Sequence, residues 1–138
     1  MALANRFLSE AALKTGDEKT YPLDLYLCED CGLVQIGCTM PPDILFKDYI
    51  YFSSTSDAVH KHADYLARSF RERFGLHEKS RVVEIASNDG CVLQYFKKIG
   101  VRTLGVEPAV NIARIASEKG IETVNEFFNE KTAGVIKT

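Results

Sequence analysis

The sequence predicts an α/β chain: a small hairpin module followed by the first βαβαβ part of a doubly wound parallel sheet. Three observations predict it. Val82-Val83-Glu84-Ile85 is an apolar, mostly β-branched run that leads through small and polar residues to Gly90 and then to an apolar helical segment at Val92-Leu93 and Tyr95-Phe96. The pattern returns at once, with a strand over 101–106, a helix over 109–119 and a third short strand over 121–124. Earlier, two short apolar runs flank Cys28-Glu29-Asp30-Cys31-Gly32.

Bulk properties bound the function. The 138 residues carry a net charge of -2, so the chain lacks the basic face of a general nucleic-acid binder. Hydrophobic residues make up 46%, enough for a packed core. No apolar run reaches membrane-spanning length, and Met1-Ala2-Leu3-Ala4-Asn5-Arg6 has no basic region before an apolar stretch. A reducing, cytoplasmic setting is expected, in which the 4 cysteines read as metal ligands or buried thiols.

Residues 1–20 read as a weakly structured lead that ends in the turn Thr15-Gly16-Asp17-Glu18-Lys19. Residues 21–37 read as a hairpin, with alternation in Pro22-Leu23-Asp24-Leu25-Tyr26-Leu27 and a return at Leu33-Val34-Gln35-Ile36. The turn between them aims Cys28 and Cys31 at one point, as in a zinc-ribbon knuckle. Zinc wants four ligands, and no second Cys-x-x-Cys is present. Cys38 is a candidate third ligand, while His60 and His62 lie far off on a helix. The bland alternative is a structural knuckle with free thiols.

Pro41-Pro42 stops the chain and Asp43 sits at the start of a short helix. Ile50-Tyr51-Phe52-Ser53-Ser54-Thr55-Ser56 is either a plain linker that caps the next helix through Ser56 or a loop that faces a ligand. Residues 57–74 form the clearest helix. Val59, Ala63, Leu66, Ala67, Phe70 and Phe74 share its apolar face, and Gly75 ends it. His60 and His62 read as solvated residues on this helix. From Ser80 onward the alternating α/β pattern takes over, with a strand over 81–85, a helix over 91–99 and Cys91 as a buried packing residue. Domain bounds of 1–56 and 57–138 follow.

The chemistry concentrates at the ends of the first two strands of the parallel sheet. A turn there points backbone N–H groups beyond the strand ends. Glu107, before Pro108, lies roughly 20 residues past the first strand, where an acidic side chain holds a ribose diol in nucleotide-binding βαβ units. The glycine fingerprint of dinucleotide binders is absent; Glu84-x-Ala86-x-x-x-Gly90 stands in its place. A carboxylate at Glu84 would repel a pyrophosphate and attract an ammonium. S-adenosylmethionine (SAM), with an ammonium, a sulfonium and a ribose diol, satisfies these demands. A structural βαβ turn with incidental acids, or a nucleotide module that uses NAD, is the alternative.

Four segments occur in order: Cys28-Glu29-Asp30-Cys31-Gly32-Leu33-Val34-Gln35, Tyr49-Ile50-Tyr51-Phe52-Ser53-Ser54, Val83-Glu84-Ile85-Ala86-Ser87-Asn88-Asp89-Gly90 and Gly105-Val106-Glu107-Pro108-Ala109. Together they resemble the SAM-dependent C-methyltransferases of the deoxysugar type. The resemblance implies an N-terminal zinc-binding domain ahead of a Rossmann-like methyltransferase domain. It implies SAM contacts at Glu84, Ala86, Ser87, Asn88 and Gly90, with Glu107 and Pro108 at the ribose. It implies zinc at Cys28 and Cys31, and a catalytic-site tyrosine at Tyr49 or Tyr51. The substrate it implies is a nucleotide-linked keto sugar.

The sequence departs from this pattern at three points. Ala86 replaces a glycine, which a Cβ tolerates only if φ is negative there. The first Cys-x-x-Cys of the zinc domain is missing, and so is the remainder of the methyltransferase and C-terminal domains. These departures lead to the expectation of a fragment, truncated at both ends, that exposes a sheet edge and self-associates. A non-catalytic SAM-binding module is the competing expectation.

Overall fold

The computed structural model describes residues 2–3, 7–16 and 18–137. The turn residue Asp17 and residues 1 and 4–6 of the lead lie outside these. The chain forms two compact units that divide between Leu45 and Phe46. The segment 46–56, expected with the first module, therefore belongs to the second.

The first unit is more ordered than a loose lead. Helix α1 (Glu10–Thr15) starts at Ser9, whose hydroxyl accepts from the Ala12 N–H at 3.3 Å, and stops at Gly16 with φ 69. Ala2 bridges to Thr20 in antiparallel fashion. Strands β1 (Leu25–Leu27) and β2 (Val34–Ile36) pair antiparallel, with Leu25 opposite Ile36 and Leu27 opposite Val34. The alternation that predicts this hairpin buries neither face, and Leu25, Leu27 and Val34 are all exposed. Helix α2 (Pro42–Phe46) closes the unit's chain.

The second unit holds the core. Helix α3 (Asp57–Phe74) runs over the predicted span, capped by the Ser56 hydroxyl and ended by Gly75 at φ 62. Its buried residues are small, Ala63 and Ala67, which lets neighbouring elements approach closely. Ala67 packs with Phe96 and Val101. Phe70 and Phe74, on the predicted apolar face, are exposed; they pack edge-to-face on each other, and Phe70 also meets Phe96.

Strands β3 (Arg81–Ile85), β4 (Arg102–Val106) and β5 (Thr123–Val124) form a parallel sheet in that order. The register sets Glu84 beside Gly105 and Val106 beside Val124. Helices α4 (Leu93–Lys98) and α5 (Val110–Glu118) make the crossovers, and α6 (Glu130–Lys137) follows β5. Both crossover helices are shorter than expected; Cys91 lies in the turn ahead of α4 and is buried as predicted. Leu93, Ala116, Ile121 and Val82 pack into one cluster. Each fully buried Leu or Ile contributes about 1.5–3 kcal/mol. On β3, Val83 and Ile85 stay exposed, as befits the strand at the end of the order. No helix among the described residues is long and apolar enough to cross a membrane.

Candidate functional site

The turn after β3 is built by β4. The Ser87 N–H donates to the Val106 carbonyl at 3.2 Å, and the Asn88 N–H donates to Glu107 Oε2 at 2.9 Å. The other oxygen of Glu107 accepts from the Ala109 N–H at 2.8 Å. One carboxylate thus locks both strand ends, and Glu107 is buried. A carboxylate has about four lone-pair sites, so each oxygen keeps one for a ligand hydroxyl.

Ala86 and Asn88 both adopt positive φ, at 56 and 50. The condition of a negative φ for an alanine at position 86 is therefore not met. Hydrogen bonding of the Ser87 and Asn88 N–H groups to β4 dictates the turn, and alanine accepts the left-handed conformation that glycine would take without strain.

A cavity of about 450 Å³ opens at these strand ends. Ile85, Ala86 and Asn88 line it from the first turn, and Val106, Glu107 and Pro108 from the second. Phe127 and Phe128, which sequence reasoning passed over, add aromatic wall, and Phe46, Tyr49 and Ser53 complete it. The volume suits a small molecule, and the carboxyl ends of parallel strands are where open α/β sheets bind ligands. Two other cavities of this unit, of about 460 and 620 Å³, are lined mostly by charged and exposed residues, such as Arg71 and Lys79 in one and Arg81 and Arg102 in the other.

Several predicted residues do not line the cavity. Ser87 is buried, and its hydroxyl sits where a side chain at Gly105 would be. Gly90 is pinned by Ile121, which fills the space a Cβ would need. Tyr51 gives its carbonyl to Asn88 Nδ2 at 3.0 Å and is itself exposed, whereas Tyr49 lines the cavity. Glu84 is half-buried behind the turn, with Oε2 lacking any hydrogen-bond partner. Burial, reinforced by the charges of Asp89 and Glu107, pushes its carboxyl up to about 7. Asp89 differs. Burial pushes it up, but hydrogen bonds from Lys119 and Ser54 outweigh that and hold it below the usual carboxylate range.

The segment over 47–56 is strapped to the sheet ends by side-chain amides. Asn88 Oδ1 accepts from the Ser53 N–H at 2.8 Å. Asn111 Oδ1 accepts from the Tyr49 N–H at 3.2 Å, and its Nδ2 donates to the Tyr49 carbonyl at 2.7 Å. This segment both caps α3 and faces the cavity, so each of its two sequence readings describes part of it. His60 is not solvated: Nε2 lies 3.0 Å from the Ser54 carbonyl and Nδ1 lies 3.1 Å from the Tyr95 hydroxyl. A carbonyl only accepts, so Nε2 carries the proton. Nδ1 also lies 3.6 Å from Cys91 Sγ, whose thiol is pushed up by burial and by Asp89. The thiolate is therefore disfavoured, and Cys91 packs as an inert residue.

In the first unit, Cys28 and Cys31 lie in the turn between β1 and β2. The Cys28 N–H donates to the Leu33 carbonyl at 2.9 Å and the Gly32 N–H to the Cys28 carbonyl at 2.8 Å. Hydrogen bonding from Cys31, backbone first and then side chain, lowers the Cys28 thiol from its ordinary value. Among the described residues no group of three or more His, Cys, Asp or Glu could hold a metal. Cys28 and Cys31 are two of the four ligands that zinc wants, and Cys38 does not join them in such a group.

A parallel α/β unit with an acid-locked pair of strand ends, preceded by a cysteine knuckle, defines the class of protein this chain resembles. Residues 1–46 match the family described as "Putative zinc binding domain". The chain is similar to the C-methyltransferase NovU of Streptomyces niveus, at 36% identity over 123 residues that cover 89% of this chain. The chain spans 29% of that relative's length. Among solved structures, a SAM dependent methyltransferase from Archaeoglobus fulgidus matches at 19% identity and a TM-score of 0.34, over 45% of this chain and 28% of the other.

Proposed function

We propose that this chain is part of a SAM-dependent C-methyltransferase and carries the cofactor side of its site. The observation that carries this reading is the Glu107 carboxylate, fixed by two backbone N–H groups at the mouth of a cavity with aromatic walls. Glu107 holds the ribose hydroxyls, and Phe127 and Phe128 offer ring faces to the adenine and keep water from it. Of the carboxylates around the turn, Glu107 is the one that lines the cavity and so the one able to meet a ligand hydroxyl. Similarity to a C-methyltransferase over most of the chain points the same way.

SAM, when bound, supplies an electrophilic methyl group. The chain's own part is to orient and to exclude water. Of the two candidate tyrosines, Tyr49 is the one along the cavity, and a tyrosine hydroxyl is a group able to hold or relay a proton on a substrate. The substrate class is a nucleotide-linked sugar with an acidic carbon beside a ketone. Cys28 and Cys31 supply two thiolates to a zinc ion whose other ligands come from outside the described residues.

Isothermal titration of this chain with SAM, against NAD as competitor, tests the reading. Glu107→Ala should weaken SAM binding by at least about tenfold, since a carboxylate bonded to ligand hydroxyls contributes roughly 1.5–3 kcal/mol. SAM affinity untouched by Glu107→Ala, or NAD bound in preference, would refute the assignment.

A further inference from the structure

Lys119 is not part of the cavity, yet it holds what covers it. Its ammonium lies 2.7 Å from Asp89 Oδ2 and 3.3 Å from the Ser54 hydroxyl. Ser54 in turn donates to the same Asp89 oxygen. Asp89 is fully buried, and Lys119 is the cation that pairs with it. Ser54 follows Ser53, which lines the cavity, and its carbonyl accepts a hydrogen bond from His60 Nε2–H.

Helix α5 therefore fastens the strap twice. Near its start, Asn111 grips both backbone groups of Tyr49, and the Val110 N–H donates to the Lys47 carbonyl at 3.1 Å. Just past its end, Lys119 fixes Ser54 through Asp89. Beyond Ser53 the strap is also held by the His60 bond to the Ser54 carbonyl and by the Ser56 cap of α3, so the Lys119–Asp89 pair is the tie that acts on the Ser54 side chain.

We propose that Lys119 is a positioning residue: through Asp89 and Ser54 it holds the 49–56 strap over the strand-end cavity, and so sets the cavity's ligand affinity without touching the ligand. The ligand in question is the cation-bearing nucleoside of the proposed function, on which this inference rests for its second readout only. The first readout, motion of the strap, needs no ligand.

The test uses the full chain as wild type, Lys119→Met, Lys119→Arg, Asp89→Asn and the double variant Lys119→Met/Asp89→Asn. Hydrogen exchange of the peptide over 49–56 is followed by mass spectrometry, with the peptide over the middle of α3 as internal reference. Strap exchange should rise about tenfold in Lys119→Met and Asp89→Asn relative to that reference, and stay near wild type in Lys119→Arg. The double variant leaves no buried unpaired charge, so its melting temperature should recover while its strap still exchanges fast and SAM affinity stays about tenfold weaker.

If the double variant regains strap protection along with stability, Lys119 is merely a counter-charge and the proposal is overturned. Unchanged strap exchange across all variants overturns it as well, whatever happens to SAM. Fast strap exchange in a chain that binds no SAM at all upholds the fastening and removes the methyl-donor reading.

Discussion

Glu84 should give the second unit a stability that falls as pH rises through neutrality. Its carboxyl is half-buried, with one oxygen unbonded and the carboxylates of Asp89 and Glu107 nearby. The folded chain keeps the proton up to about 7, whereas the unfolded chain releases it near 4.5. Between those values the folded state binds more protons, so each step up in pH favours unfolding. At about 1.36 kcal/mol for each tenfold, the full effect is about 3.4 kcal/mol, and partial solvent access reduces it to roughly 1–3 kcal/mol. Glutamine is nearly isosteric and cannot ionise. Glu84→Gln should therefore match wild type at pH ~4 and exceed it by about 1–3 kcal/mol at pH ~8. Urea unfolding followed by far-ultraviolet circular dichroism at intervals of pH gives both curves. Asp89 does not confuse the comparison. Its carboxyl is held below the usual range, so its contribution is lost only as pH falls below this window. Parallel stability curves for wild type and Glu84→Gln would show that the proton is not where this reasoning puts it.

Two further substitutions probe the turn. Ala86→Gly should relieve left-handed strain of about 1–2 kcal/mol, partly offset by glycine's freedom when unfolded, for a net gain of about 0.5–1 kcal/mol and a melting temperature higher by a few degrees. A lower melting temperature would contradict the positive φ. Gly105→Ala should destabilise by about 1–3 kcal/mol, because its methyl would overlap the Ser87 hydroxyl. Thermal unfolding would detect this, and Ser87→Ala in the same chain should recover part of the loss.

The sequence made some of this plain and hid the rest for physical reasons. The α3 span was legible because Ser56 and Gly75 punctuate a continuous apolar stripe. Strand β3 was legible because its residues are mostly β-branched, and β4 because a partly apolar run between Gly100 and Glu107-Pro108 marks it off. Helix α1 carried the same punctuation in Ser9 and Gly16, yet its six residues were too few for a periodic stripe to show. The φ at Ala86 is imposed by hydrogen bonds to β4, and no local pattern encodes that. His60, Asn111 and Lys119 act on partners remote in sequence, so each looked like an ordinary polar residue of a helix face. Phe127-Phe128 was the signal that could have been read: two adjacent aromatics just past a short strand, next to a site expected to hold a nucleoside. Tyr49 over Tyr51 was undecidable without coordinates, since neighbouring residues in an irregular segment follow no fixed alternation.

The strap's fasteners also differ in kind. Asn88 and Asn111 hold it with neutral amides, which electrolyte scarcely affects. The Lys119 side chain is 42% exposed, so dissolved ions reach one half of its pair with Asp89. Ionic strength is thus a one-sided control: concentrated sodium chloride loosens the Ser54 end while the Tyr49 end stays tied.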